Sequence, residues 1–365
     1  MEKIMGKRNI INLVRDEVRG LRPYDALEIP CDIKLDAQEN PYPIPGTIRN
    51  KMLKALKPLL FNRYPDSGAK ELKRIIAGQN GVKVENVMLG NGSDELIQSI
   101  ITTFGRTQGK VLYPVPTFSM YGIITKALGQ IPIEIPLQGD FDLDIDSMLT
   151  AIKKDRHRVI FLSYPNNPTG NFFSESKIIE IIKRDKTAVV VDEAYFDFSK
   201  KTFLPLIKKY ENLIILRTLS KIGFAGLRVG ILIARPEIVK EINKVRLPYN
   251  VNSLSQAAAK VVLENRNVID KQIKAIIRER ERLYKGLRRV DGITPFPSEG
   301  NFILFRTSKN ANKIYQGLIK KGILIRNMNQ STGSFGKGLL NNCLRVTVGT
   351  SFENRYFLEA LRTLI

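Results

Sequence analysis

Histidine is almost missing: His157 is the only one in 365 residues. Metal sites built on several imidazoles are therefore excluded. A triad with a His base would have to use this one residue, which stands in a basic turn. Cysteine is scarce too. Cys31 and Cys343 are too few for a disulfide framework, and Cys343, heading an apolar run, reads as core. No apolar run approaches the ~20 residues that a membrane helix needs. Met1 to Arg22 carries charge throughout, with no apolar stretch of signal-peptide length. Gly/Ser linkers and internal repeats are absent. These absences lead us to expect a cytoplasmic protein with reduced thiols and no metal.

Acidic residues are outnumbered, 36 Asp and Glu against 58 Lys and Arg, for a net charge of +22. Such an excess suits nucleic acid, an acidic membrane surface or anionic ligands. Its distribution argues against the first two. The basic stretches, Lys153–Arg158 and Lys183–Lys186, are short and interrupted by acid. From Arg278 to Arg289 the charges alternate, as on a solvated helix face. Ile10, Leu13, Val14, Val18 and Leu21 fall at the spacing of a short amphipathic helix.

The rest is ordinary globular composition, 43% hydrophobic and 26% charged, with length for about two domains. Short apolar runs, often β-branched, predict strands at Val87–Leu89, Val111–Tyr113, Ile131–Ile135, Val159–Ser163, Ala188–Val191, Leu213–Arg217 and Val229–Ala234. They lack polar alternation, as strands buried on both faces do. Helical patterns lie between them, so an α/β architecture with a mostly parallel sheet is expected. After about residue 250, helices at Ser253–Glu264 and Val268–Val290 precede strands near Asn301–Phe305, Ile323–Ile325 and Leu344–Val348, the pattern of a smaller α+β domain. The expected division is 1–45, a segment packing on the small domain; 46–255, the large domain; and 256–365, the small domain.

Two nucleotide motifs fail. Gly90-Asn91-Gly92-Ser93-Asp94-Glu95 lacks the third Gly of a dinucleotide fingerprint. Gly105 to Lys110 is one residue short of a P-loop and precedes a strand when it should follow one.

Polar clusters sit just after predicted strands, where an open α/β sheet forms its ligand crevice. Gly92, Ser93 and Asp94 open a helix whose N–H groups suit phosphate; the plainer reading is a helix capped by Ser93. Phe118 offers a ring for stacking, or is a core aromatic. Asn167 lies in the rigid Tyr164–Gly170 turn. Asp192 ends a run of valines and is followed by Tyr195; a buried carboxylate there needs a cation, unless it caps a helix. Lys221, after Ser220, can form a Schiff base if its pKa is depressed, and Ser220 and Arg228 suit phosphate. Singly these signals are modest. Together, a Lys for an imine, an Asp for a pyridine nitrogen, an amide and a phenol for a ring oxygen and a phosphate cup describe pyridoxal 5'-phosphate.

Their order and spacing resemble the fold-type-I aminotransferases. Leu21-Arg-Pro-Tyr24, Leu35-Asp-Ala-Gln-Glu39-Asn-Pro-Tyr42, Arg63-Tyr64-Pro-Asp66, Asn167-Pro-Thr-Gly170, Asp192-Glu-Ala-Tyr195 and Ser220-Lys221 carry the likeness, which extends over most of the chain and is nearest to the histidinol-phosphate aminotransferase subfamily. The resemblance implies a cytoplasmic homodimer with Lys221, Asp192 and Tyr195 as catalytic residues. Gly92, Ser93, Asp94, Phe118, Asn167, Ser220 and Arg228 would hold the cofactor, with Tyr64 reaching that of the partner. Tyr24, Asn167, Arg326 and Arg345 would bind substrate. The implied reaction is transamination of L-histidinol phosphate, a phosphorylated amino alcohol, with 2-oxoglutarate, giving imidazole acetol phosphate and L-glutamate in histidine biosynthesis. Alternatives are an aromatic-amino-acid aminotransferase and a phosphothreonine decarboxylase. A cofactor-binding regulator or nucleic-acid binder would need an appended helix-turn-helix segment, and none is expected. Two departures stand out. Arg228 follows Lys221 by seven residues where relatives often have eight, and Phe118 replaces a Tyr common at the stacking position.

Overall fold

Strands that are apolar on both faces need a layer on each side. In the computed structural model, which describes residues 10–21, 28–106, 108–154, 158–184, 187–329 and 338–365, the predicted strands assemble that way. The strands are β1 (Ile33–Lys34), β2 (Val87–Asn91), β3 (Lys110–Val115), β4 (Ile131–Pro136), β5 (Val159–Ser163), β6 (Ala188–Asp192), β7 (Leu213–Thr218), β8 (Val229–Ile233), β9 (Ile293–Pro295), β10 (Phe302–Thr307), β11 (Ile323–Leu324), β12 (Arg326–Asn327) and β13 (Cys343–Thr347). Seven form one sheet in the order β2-β8-β7-β6-β5-β3-β4. All its pairs are parallel except those of β8, which runs against both neighbours. Period-two geometry divides each strand between two cores. Val159, Phe161 and Val190 face one, with Leu96, Ile97 and Ile100 of the Ser93–Phe104 helix. Ile160, Leu162, Val189 and Val191 face the other. The prolines of β4, Pro132 and Pro136, sit on the sheet edge, where a missing N–H costs no ladder bond.

A second, antiparallel sheet has the order β12-β13-β10-β9. The chain before residue 45 is tied to this region, because β1 pairs in parallel with β11. The expected strand at Ile323–Ile325 ends one residue early, at Leu324. After β11 the chain passes into β12 of the other sheet, which carries Arg326.

The amphipathic helix expected near the N-terminus is also broken. A 3-10 turn (Ile10–Leu13) and one helical turn (Asp16–Arg19) are separated at Arg15, whose backbone is extended and whose Nη2 donates to Ala127 O at 2.6 Å. Ile10 and Leu13 remain 70% and 78% exposed, so among the described residues this end of the stripe finds no packing that would favour one continuous helix. Among the described residues no helix is long and apolar enough to cross a membrane. Tyr24 and His157 lie outside the described residues.

Candidate active site

Parallel strands align their carboxyl ends, and the candidate residues gather there. Asp192 closes β6, in register with Ser163 of β5 and Leu216 of β7. It is 3% exposed. The Tyr121 hydroxyl donates to its Oδ2 at 2.7 Å and the Ala194 N–H to its Oδ1 at 3.1 Å. Burial pushes its pKa up to about 6, against the lowering effect of these two donors. Tyr121 is fully buried and stacked on Phe161, with centroids 4.7 Å apart. Burial, then the charge of Asp192, raises its pKa well above the usual phenol range. It therefore stays a neutral donor. Tyr121 belongs to the phrase that offered Phe118, but its spacing also fits a core aromatic, and only the fold brings it to Asp192. Phe118 packs edge-on against it at 5.5 Å.

Beside Asp192 a buried ion pair anchors the following loop. Glu193 receives Nε and Nη2 of Arg217, the hydroxyl of Thr202 and the Phe203 N–H. Arg217 in turn lies 3.6 Å over the Phe196 ring. This clamp was not singled out in the sequence, and it fixes the turn that carries Tyr195. Tyr195 is 2% exposed, edge-on to Phe302, with Lys221 Nζ 5.8 Å from its ring centroid.

Lys221 is half-buried, in a short 3-10 turn after β7. Burial and then the nearby Arg345 push its pKa down to about 8, partly offset by Asp94, Glu39 and Asp192. Arg345, in mid-β13 and buried, donates from Nη1 to Asn167 Oδ1 at 2.6 Å and from Nη2 to Asp36 O at 2.9 Å. The registry of β12 on β13 sets Arg326 directly opposite Arg345. Facing cross-strand residues share a side of the sheet, and like charges there repel. The structural alternative for Arg345, an Asp or Glu partner, is not what its two Nη atoms meet in these bonds. Both acceptors are neutral.

The plain reading of Ser93 as a cap is corrected. Gly92 is the cap residue, at φ +80°, and no side chain caps this helix start. A Cβ on Gly92 would lie 2.5 Å from Arg228 Nη2, and one on Gly230 would lie 2.4 Å from the Gly92 carbonyl carbon. Glycine thus lets the guanidinium and the uncapped helix end come together, a donor set suited to a phosphate. Arg228 takes a left-handed backbone, φ 51°, and bonds Asp94 Oδ2 at 3.3 Å. The short spacing from Lys221 still delivers Arg228 to Gly92. Ser220 accepts from Thr218 Oγ1 at 2.9 Å and lines a cavity of about 280 Å³ with Lys34, Glu39, Asn40, Gly223 and Thr347. Tyr64 stands apart, 80% exposed and stacked on Tyr249.

The doubly covered sheet is that of fold type I, and the chain belongs to the aminotransferase class I and II family, whose model matches residues 31–361. It is an aminotransferase. Its curated relatives are narrower. It is 45% identical over 354 residues to the histidinol-phosphate aminotransferase of Aquifex aeolicus, covering 97% of this chain and 98% of that one. It is 41% identical over 357 residues to that of Thermoanaerobacter pseudethanolicus, covering 98% and 99%. The solved histidinol-phosphate aminotransferase of Clostridium acetobutylicum superposes with a TM-score of 0.82 at 27% identity, covering 91% of this chain and 98% of that one.

Proposed function

We propose that this chain binds pyridoxal 5'-phosphate and transfers the amino group of L-histidinol phosphate to 2-oxoglutarate, as its relatives' names suggest. One observation carries the substrate assignment: Arg326 faces Arg345 across β12 and β13. Two like charges so placed suit an anion between them, which the dianionic phosphate of this amino alcohol would supply. Phenylalanine, with a single carboxylate, would leave one arginine unanswered.

The residues fit the cofactor. The uncapped helix start at Gly92, Ser93 and Asp94, with Ser220 and Arg228, would hold its phosphate. Asp192 would face the ring nitrogen, Phe118 the ring plane, and Asn167 and Tyr195 the ring oxygen. When bound, the cofactor supplies an electron sink for bond breaking at the amine-bearing carbon. Lys221 Nζ would hold the cofactor and, once free, would move the proton from that carbon. Asp192 would keep the ring nitrogen protonated. Arg345 orients the substrate anion, then the keto acid in the second half-reaction, so kinetics are ping-pong.

Steady-state comparison of histidinol phosphate with phenylalanine and tyrosine tests the reading; kcat/KM should favour histidinol phosphate. Arg345→Ala should weaken both half-reactions. Each lost charge-assisted hydrogen bond is worth about 1.5–3 kcal/mol, or roughly 10- to 150-fold. Arg326→Ala should act selectively on substrates with a second anionic end. A wild type that prefers phenylalanine overturns the substrate assignment and leaves the cofactor chemistry standing.

The working unit in this reading is a cytoplasmic homodimer, each copy divided at about residue 255, and no nucleic acid takes part. Leu60, Phe61, Tyr64 and Leu247 are 67%, 78%, 80% and 69% exposed, an apolar surface that a second copy would cover. Tyr64 would then reach the partner's cofactor phosphate. Tyr64→Ala and Lys221→Ala proteins, each inactive, should regain part of the activity when mixed and refolded. A fully active monomer at nanomolar concentration contradicts the dimer.

A further inference from the structure

Gln38 lies on the Leu35–Tyr42 segment and has no role in the reading above. Its backbone is left-handed, φ 58°, a conformation non-glycine residues seldom adopt, and it is 4% exposed. Such a backbone persists only when its surroundings over-determine it. Here three distant parts of the chain do so. Its N–H donates to Thr347 Oγ1 of β13 at 3.0 Å. Its carbonyl accepts from Asn301 Nδ2, just before β10, at 2.9 Å. Its side-chain Nε2 donates to Asn167 Oδ1, beyond the end of β5, at 3.1 Å.

That last bond bears on the site. Asn167 Oδ1 receives two donors, Gln38 and Arg345 Nη1. A guanidinium has only donors, so the Asn167 atom it meets must be the oxygen. The Gln38 atom on the same oxygen must then be its amide nitrogen. With Oδ1 doubly held, the Asn167 N–H groups are turned away from both donors. Among the described residues no protein acceptor takes them. The two donors differ in one respect. Arg345 must also meet the substrate anion, which weakens its hold on Oδ1 whenever substrate is present. Gln38 is neutral, and an anion does not draw it away.

We propose that Gln38 is a positioning residue of this active site. It holds the Asn167 amide in one orientation, independently of Arg345, so that the Asn167 N–H remains on the cofactor's ring oxygen while the substrate anion occupies Arg345. The proposal rests on the cofactor reading above.

Two variants test it. Gln38→Glu keeps length and backbone but replaces the donor with an acceptor, setting oxygen against oxygen at Asn167. Gln38→Asn tolerates the left-handed backbone but is one methylene too short to reach. The readout is the pH titration of the bound cofactor's visible absorption, with and without saturating inorganic phosphate as the anion. A donor on the ring oxygen competes with the proton held there, so losing it raises the titration midpoint. Gln38→Glu should raise it in both conditions. Gln38→Asn should match wild type without the anion. With phosphate bound it should exceed the wild-type midpoint by about one pH unit, a tenfold change in proton affinity. If Gln38→Glu fails to fold, Gln38→Asn carries the test alone. Variants that load the cofactor and titrate like wild type in both conditions overturn the role of Gln38 and leave the proposed function intact. A wild type that takes up no cofactor overturns the proposed function, and this role with it.

Discussion

Lys221→Ala should lower turnover by about four orders of magnitude or more, since it removes both the covalent anchor and the proton carrier. The surroundings of this lysine prepare both tasks. Burial and Arg345 bring its pKa down to about 8, so roughly a tenth of the lysine is the neutral amine at pH 7, the form that attacks and accepts protons, against well under a hundredth for an ordinary lysine. The direction has a measurable consequence. Capture of pyridoxal phosphate by cofactor-free protein, followed by rapid mixing, should speed up about tenfold per pH unit below pH 8 and level off above it. Borohydride should then fix the label to the peptide containing Lys221. Label on another lysine, or substantial turnover by Lys221→Ala, removes the assignment.

Asp192→Asn should change activity and stability in opposite directions. In the cofactor-free protein this carboxyl is buried and its pKa is raised to about 6 from an ordinary value of 3.8. The folded chain therefore holds the proton more tightly than the unfolded chain does. Stability falls as pH rises from about 4 to 6 and stays lower above that. The neutral amide escapes this cost; its oxygen can accept from the Ala194 N–H while its NH2 donates to the Tyr121 hydroxyl. Without cofactor the variant should be more stable than wild type at pH 7 by roughly 1–3 kcal/mol, and no different below pH 4. With cofactor the order reverses in function. Breaking a buried charge pair costs about 3–5 kcal/mol, so turnover should fall roughly 10²- to 10⁴-fold. Thermal melts of the cofactor-free proteins across pH, beside kcat of the loaded ones, check both halves. Near-wild-type turnover, or a lower melting temperature at pH 7, contradicts the role of Asp192.

The strands of the larger sheet were legible to within a residue or two at each end. Runs such as Val159–Ser163 and Ala188–Asp192 are apolar on both faces, and only a doubly covered sheet satisfies that pattern. The reversal of β8 was not legible, because strand direction leaves no mark on composition. The break after Leu324 was missed for a related reason. Ile323–Ile325 is a continuous apolar run, and the passage of Arg326 into a second sheet is decided by its pairing with β13. The N-terminal stripe has the spacing of one helix, yet among the described residues Ile10 and Leu13 stay 70% and 78% exposed.

What the sequence determined by itself is the set of chemical groups and their delivery to strand ends. Side-chain identity and a two-residue period are local properties, and they place Asp192, Asn167 and Lys221 just beyond buried strands. Which groups meet was decided only by the tertiary structure. Tyr121 reaches Asp192 across 71 positions of chain, Gln38 reaches Asn167 across 129, and Arg345 reaches Asn167 across 178. Arg326 opposes Arg345 through the register of two short strands. Contacts of this kind depend on how distant segments align, and a one-residue slip in a strand turns every side chain to the other face. No local pattern encodes that alignment; packing the two sheets around their shared crevice does.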